Sequence, residues 1–437
     1  MSVTIFQHLD TIEGIDPIPV HGRVTQAIGL VLEGHVIHSA VGEICSIALS
    51  GRPDHLLAEV VGFRDDRALL MPLGDLVGIG PGCPIVSQGT RAMVQVGDGL
   101  LGRVIDGLGN PIDGKGPIRV RETYPLYVTP PSPLERRRIH QALGVGIRPI
   151  NGLLTCGKGQ RLGIFAGSGV GKSVLLGQIA RYTAADVNVI ALIGERGREV
   201  KEFIEKDLKE DGLRHSVVVV ATSDQPPLVR RRGAFLAMAI AEYFRDQRLN
   251  VVFMMDSLTR LAHAQREIGL AIGEPPTTKG YTPSVFALLP KFLERAGTSS
   301  NAGSITGFYT VLVEGDDLND PIPDAARAIL DGHIVLSREL AAHNHYPAID
   351  ILNSTSRVMI DVVPADHMEL ARNFSNLLAT YRKAEDLIHI GAYKAGSDSQ
   401  IDLAIARWEK MQSFLRQGIN EKVALRESVE ALRHVFR

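Results

Sequence analysis

The stretch Leu162-Gly-Ile-Phe-Ala166-Gly167-Ser168-Gly169-Val170-Gly171-Lys172-Ser173 decides how the chain is read. A short apolar run ends in a glycine-rich turn. The turn leads into Ser173–Ala184, where apolar residues recur at helical spacing. Strand, glycine loop and helix together are the context that a phosphate-binding loop requires. The glycines let backbone N–H groups turn inward around phosphate oxygens, and the helix N-terminus adds partial positive charge. On this reading Ala166, Gly167, Ser168, Gly169, Val170 and Gly171 cradle the phosphates of ATP. Lys172 reaches the β- and γ-phosphates, and the Ser173 hydroxyl ligates Mg2+. The bland alternative is a glycine-rich turn with a surface lysine.

A phosphate loop needs a carboxylate for its metal. Val251-Val-Phe-Met-Met-Asp256 reads as a buried strand ending in an acid. Asp256 is expected in the Mg2+ shell, through water, with Ser257 beside it. The competing reading is an acid that caps a strand end. Hydrolysis also needs a group that orients the attacking water. Gly194-Glu195-Arg196-Gly197-Arg198-Glu199 directly follows the strand Val187–Ile193, and strand C-termini surround the ligand crevice of such sheets. Glu195 is therefore expected to address the γ-phosphate, with Arg196 stabilising charge, unless the cluster is merely a solvated helix start.

Asn353-Ser-Thr-Ser-Arg357 offers two readings. Arg357 is either a structural ion-pair partner or an arginine finger, a residue that stabilises transition-state charge and comes in some enzymes from another subunit. Tyr346 is either a core residue or an adenine-stacking platform. His343 and His345 have strand spacing, but a third ligand is not evident, so no zinc site is expected. Arg136–Arg138 and Arg230–Arg232 read as solvated basic faces.

Around these motifs the chain divides into three regions. Val20–Leu32, Gly42–Leu49, Leu56–Phe63 and Ala68–Met71 are β-rich runs broken by turn residues, which suggests a small barrel or sandwich. Before them Val3, Phe6, Leu9 and Ile12 make a weak amphipathic helix at best. Gly97-Asp-Gly99-Leu-Leu-Gly102 formally matches a dinucleotide fingerprint, but no helix follows, so a hairpin turn is expected. Thr129–Pro133 is an extended connector. From about 150 to 365, apolar β runs alternate with helical stretches, among them Glu199–Glu210 and Gly233–Arg245. Continuous apolar strands joined by helices imply a parallel sheet covered on both faces. After Pro364, Ala365–Ile390 and Ile401–Phe436 are helical in pattern, and Leu403, Ala406, Met411, Phe414 and Leu415 read as a packing stripe. The expected domains are 1–95, 96–365 and 366–437, in an α/β fold.

Composition narrows the function classes. Of 437 residues 45% are apolar, and 47 Lys+Arg against 49 Asp+Glu leave a net charge of −2. That balance argues against a protein that coats nucleic acid or an anionic membrane. Aromatics at 5% speak against a base-stacking surface. Three scattered cysteines fit a reducing compartment. No apolar run approaches the roughly 20 residues needed to cross a bilayer, and no signal peptide is visible. A soluble, cytoplasmic protein is expected.

The wording of the motifs adds a resemblance. Phe165–Ser173, Ile193-Gly-Glu-Arg-Gly-Arg-Glu-Val200 and Met255-Asp-Ser-Leu-Thr-Arg260 are similar to those of the type III export ATPases, relatives of the rotary ATP synthase catalytic subunit. So are Ala264–Ile268, Gly273–Pro276, Glu314-Gly-Asp-Asp317 and Ile329–Arg338, and the resemblance runs from about Gly22 to Arg416. Ala271–Tyr281 and Ala326–Leu330 resemble the flagellar members more than the virulence-injectisome ones. The resemblance implies a homohexamer with an N-terminal β-barrel, a RecA-like P-loop NTPase core and a C-terminal α-helical domain. It further implies ATP at subunit interfaces, with Lys172 and Ser173 on phosphates and Mg2+, Glu195 as catalytic carboxylate and Asp256 as the acid of the second nucleotide motif. Arg357 matches the arginine that reaches a neighbour's nucleotide, and Tyr346 a position that contacts adenine.

The activity implied is ATP hydrolysis that energises export of flagellar proteins at the cytoplasmic face of the inner-membrane export apparatus. Implied partners are the export gate, a regulator or stator, a stalk and chaperone–substrate complexes. The segment before the barrel is shorter than the regulator-docking helix of many flagellar relatives. Rival readings are an injectisome ATPase, a rotary synthase subunit that needs unlike partners, a hexameric RNA helicase and a non-catalytic nucleotide-binding scaffold. Glu195 argues against the last.

Overall fold

The computed structural model describes residues 21–36, 39–49, 54–300, 302–313, 315, 317 and 319–437. The run Val3–Ile12 lies outside the described residues. The chain forms two compact units, one holding the residues up to Met93 with Ile268–Glu274, the other Val94–Glu267 with Pro275–Arg437.

The first unit is a closed barrel rather than a sandwich. His21–Ile28, Val31–His35, Arg67–Pro72, His55–Arg64, Glu43–Ala48 and Pro84–Arg91 pair antiparallel in that order, and the last returns to the first. Alternate side chains point inward, so Val24, Leu32, Cys45, Ile47, Val60, Leu70 and Ile85 build the core. The apolar run Val20–Leu32 is not one strand. Gly29, at φ 57, turns the chain so that Ile28 faces Val31. Pro84–Arg91, which closes the barrel, carries too little apolar alternation to be read beforehand.

The second unit is built on a nine-stranded sheet. Its order is Ile349–Ser356, Gly332–Leu336, Arg161–Ala166, Ser304–Leu312, Asn250–Asp256, Val187–Ile193, Ser216–Ala221 and Arg103–Asp106, with the short Gly297–Thr298 paired on Ser304–Leu312. The strands run parallel except Ile349–Ser356 and Gly297–Thr298. Every residue of Val187–Ile193 and Ser216–Ala221 is buried, as expected of strands covered on both faces. This order sets the C-terminal ends of Arg161–Ala166, Asn250–Asp256 and Val187–Ile193 along one edge.

Several expectations change. The segment Gly97–Gly102 holds one 3-10 turn, Asp98–Leu100, in place of the expected hairpin turn; Arg103–Asp106 beyond it is the parallel edge strand beside Ser216–Ala221, and its Ile105 also bridges Pro111 antiparallel. The helix expected from Gly233 starts at Pro227, a residue suited to a first helical position, and runs to Asp246. Glu199–Glu210 is not one regular helix. Gly197–Glu202 is followed by a π-helical turn, Phe203–Leu208, and then Lys209–Leu213. Arg230 and Arg232 are buried rather than solvated, and Arg230 pairs with Glu267.

After Pro364 come Ala365–His389, Ser399–Leu415 and Leu425–Val435. The expected single helix Ile401–Phe436 is broken where Gln417 leaves the helix: its amide donates to the Gly146 and Glu421 carbonyls at 2.8 Å each. Of the expected stripe, Met411, Phe414 and Leu415 are buried, with Ala404, while Leu403 and Ala406 face solvent. The packing face is turned away from that reading by a fraction of a helical turn.

Candidate nucleotide-binding site

The turn after Arg161–Ala166 closes through Gly169 at φ 79 and Gly171 at φ 88, left-handed conformations that favour glycine. Gly171 caps the helix Lys172–Tyr182, so Lys172 and Ser173 stand in its first turn. A cavity of about 530 Å3 opens over this turn. Ala166, Gly167, Ser168, Gly169, Gly171, Lys172, Ser173, Glu195, Arg196 and Asp256 line it. Val170 does not; its side chain packs into the core beneath the loop.

Under the loop lies a compact charged cluster. Lys172 Nζ donates to Asp256 Oδ1 at 2.6 Å and stands 3.9 Å from Glu195 Oε1. The Thr310 hydroxyl, on the strand between the loop and Asp256, donates to the same Oδ1 at 2.8 Å. Burial alone would depress the Lys172 ammonium, but the Asp256 and Glu195 carboxylates outweigh it and hold its pKa above the ordinary value. Glu195 moves the other way: burial first, then the Asp256 charge, raise its pKa to about 7, against the pull of Lys172. Its side chain is 12% exposed, whereas that of Arg196 is 81% exposed and lies 3.9 Å from Glu199. The pair is therefore not a solvated cluster as a whole; only Arg196 faces solvent.

The donors fit a hydrated Mg2+. Among the described residues no three His, Cys, Asp or Glu side chains converge as a metal cage. What the site offers is a hydroxyl at Ser173, a carboxylate at Asp256 and a buried Glu195 Oε1 that accepts no hydrogen bond. One or two protein ligands completed by phosphate and water is the usual arrangement for this ion.

Two sequence candidates lie outside the cavity lining. Tyr346 is 40% exposed, hence not a core residue, and its ring stands beside the loop: a methyl group on Gly171 would meet it at 3.4 Å. Arg357 follows the end of Ile349–Ser356, where Ser356 pairs with Gly332 at the opposite end of the sheet from the loop. It is exposed, its amide donates to the Asp331 carbonyl at 3.0 Å and its guanidinium to the Arg327 carbonyl at 3.5 Å. Sequence reasoning overlooked Arg260 and Arg338, which also line the cavity. Arg260 was within reach, since it stands in the first turn of the helix Leu258–Ile272 that directly follows the strand ending at Asp256. Nothing in the local sequence marks Arg338, which strand order brings to the loop. His345 is buried in a different cleft, beside Leu378 and Gln412.

Comparison with known proteins fits this architecture region by region. The nucleotide-binding domain of the ATP synthase alpha/beta family matches residues 146–356, the beta-barrel domain of that family residues 24–89, and the T3SS EscN ATPase C-terminal domain residues 363–434. The flagellum-specific ATP synthase of Bacillus subtilis is 54% identical, over 97% of this chain and 97% of that protein. The type 3 secretion system ATPase of Xanthomonas euvesicatoria is 51% identical, over 95% of this chain and 94% of that protein. The assembled ATPase EscN of the enteropathogenic E. coli type III secretion system superposes with a TM-score of 0.88 at 46% identity, covering 95% of this chain and all of that one. By sequence, fold and site together, the chain belongs to the ATP synthase alpha/beta family, within its branch of flagellar and type III secretion ATPases.

Proposed function

We propose that this chain hydrolyses ATP at the subunit interfaces of a homohexamer and that turnover energises protein export through a flagellar type III apparatus. The observation that carries the catalytic half is the cluster beneath the loop: a lysine bound to one acid, and beside it a second acid whose pKa is raised to about 7. In this reading the loop amides and Lys172 bind the β- and γ-phosphates, and the phosphate oxygens compete with Asp256 for the ammonium. Glu195, ionised, accepts a hydrogen bond from the attacking water and aligns it with the γ-phosphorus. Arg196 adds positive charge at the rim. Ser173 and Asp256, the latter through water, would hold Mg2+, which screens charge between the β- and γ-phosphates when bound.

Arg357 is assigned to the neighbouring subunit's nucleotide. Its exposure and its place at the far end of the sheet from its own loop support action in trans. Tyr346 is assigned to the adenine, on the strength of a ring that is open to solvent and adjacent to Gly171. The helices of residues 366–437 are taken as a domain of their own in function, and residues 96–365 as the ATPase domain.

The hexamer and a stalk partner are supported by EscN, solved as an assembled ATPase and in complex with its central stalk EscO. The export gate, a regulator and chaperone–substrate complexes are the further partners proposed, at the cytoplasmic face of the inner membrane. Among the described residues no helix is long and apolar enough to cross a membrane. The flagellar assignment leans on Ala271–Tyr281 and Ala326–Leu330 and on relatives such as the flagellum-specific ATP synthase of Bacillus subtilis. An injectisome role is the second reading, because a secretion-system relative stands at 51% identity as well.

The test is ATPase activity per subunit against the concentration of the purified chain, with and without single-stranded RNA. A cooperative rise indifferent to RNA supports the proposal. Activity that stays negligible at every concentration points to missing unlike subunits, and stimulation by RNA points to a helicase.

A further inference from the structure

The loop's glycines are required for different reasons. Gly169 and Gly171 have left-handed φ angles, and Gly169 has nothing within 4 Å of the place where a Cβ would sit. Gly167 is not left-handed. A Cβ there would lie 2.5 Å from Arg338 Nε, 2.6 Å from Nη2 and 3.0 Å from Cζ. Both nitrogens lie closer than the carbon that joins them, so the guanidinium meets Gly167 edge-on, through its Nε–Nη2 side.

The fold delivers Arg338 to that place. Gly332–Leu336 runs parallel beside the loop strand with Leu336 level with Ala166, so both chains leave the sheet together. Ser337 then accepts a hydrogen bond from the Leu340 amide at 3.3 Å and fixes Arg338 as the first residue of the helix Arg338–Ala342. The next residue, Glu339, accepts from Arg382 at 3.4 Å. A guanidinium holds two nitrogens in a fixed fork along that edge, whereas an ammonium presents a single nitrogen.

We propose that Arg338 is a positioning residue for nucleotide: its guanidinium braces Gly167, holds the entry of the loop in its phosphate-binding shape and sets affinity for nucleoside di- and triphosphates more than rate. The inference rests on the nucleotide reading given above. The groups assigned to the chemical step stand on the helix Lys172–Tyr182, at the end of Asn250–Asp256 and just past Val187–Ile193. Gly167 precedes them, where the chain offers phosphate only backbone N–H groups.

The test is equilibrium binding of a fluorescent methylanthraniloyl-ADP to the purified full chain, with circular dichroism to confirm that each variant is folded. Arg338→Ala weakens binding about tenfold, and Arg338→Lys does not restore it, since the rigid two-nitrogen edge rather than the charge is needed. In turnover KM for ATP rises by a similar factor while kcat falls less. Gly167→Ala binds worse still, because the methyl group meets the guanidinium. The double variant Gly167→Ala/Arg338→Ala binds better than Gly167→Ala alone, a coupling that only groups in contact produce. Wild-type affinity in Arg338→Ala, full rescue by lysine, or additive losses in the double variant would overturn the inference alone. A wild-type chain that does not bind the probe overturns the nucleotide reading and this inference with it.

Discussion

Lys172 and Asp256, 84 positions apart in the chain, meet at 2.6 Å beneath the loop, and the Thr310 hydroxyl fixes the same carboxylate oxygen from the strand between them. The ammonium is thus held at the floor of the cavity with its charge compensated by the carboxylate. Removing it leaves Asp256 and Glu195 as neighbouring buried acids with no cation between them. Lys172→Ala is expected to lower kcat by about 10²–10³-fold, the usual cost of losing one preorganised charge at a reacting phosphate or carbonyl. Steady-state phosphate release at saturating ATP checks this, and a fall of less than about threefold would remove Lys172 from the chemical step.

The raised pKa of Glu195 gives the activity a pH dependence of definite sign. Burial and the Asp256 charge disfavour the carboxylate, so below about 7 the group is protonated and above it ionised. Only the anion accepts a hydrogen bond from the attacking water. kcat/KM for ATP is therefore expected to climb about tenfold per pH unit on the acid side and to level off above neutrality. Glu195→Gln should bind nucleotide, turn over barely and lose the acid limb. Profiles recorded between about pH 5.5 and 8.5 decide the matter, since a wild-type profile flat through 7 would mean that another group governs the rate.

What was legible in the sequence is the part whose chemistry is contiguous. Lys172 and Ser173 sit inside one motif; Glu195 and Asp256 each end an apolar run, and an acid at the end of a buried strand can be placed at a crevice without knowing which strands are neighbours. Arg338 and Tyr346 come to the loop only because Gly332–Leu336 lies next to Arg161–Ala166, a fact of strand order that no local pattern encodes. Arg230 misled because arginine is rarely buried without a partner, and its partner Glu267 lies on a different helix. The break at Gln417 depends likewise on a distant carbonyl, that of Gly146.

Stability should depend on an ion pair far from the chemistry. Arg295 is 1% and Glu242 5% exposed by side chain, and the guanidinium donates to the two carboxylate oxygens at 2.8 and 2.5 Å and to the Leu126 carbonyl at 2.8 Å. Glu242→Leu strands a buried cation, and a loss of about 3–5 kcal/mol is expected. Adding Arg295→Met should recover most of it, because the desolvation penalty disappears with the charge. Chemical denaturation of the single and double variants measures both, and a double variant no more stable than the single would show that the pair is worth more than its desolvation.

The trans assignment of Arg357 allows a test in which two dead proteins make a live one. Arg357→Ala keeps an intact loop but no finger; Lys172→Ala keeps the finger but a disabled loop. In hexamers formed from an equal mixture, an interface works when the first variant supplies the loop and the second the arginine, about a quarter of interfaces for random assembly. Each variant alone should be inactive, and activity should appear on mixing and grow with the time allowed for subunit exchange. Arg357→Ala should still bind nucleotide as an isolated subunit, since the guanidinium stands at the opposite end of the sheet from its own loop. If the mixture stays as inactive as its parts while both variants form hexamers, Arg357 acts within its own chain, and the shared-site reading falls with it.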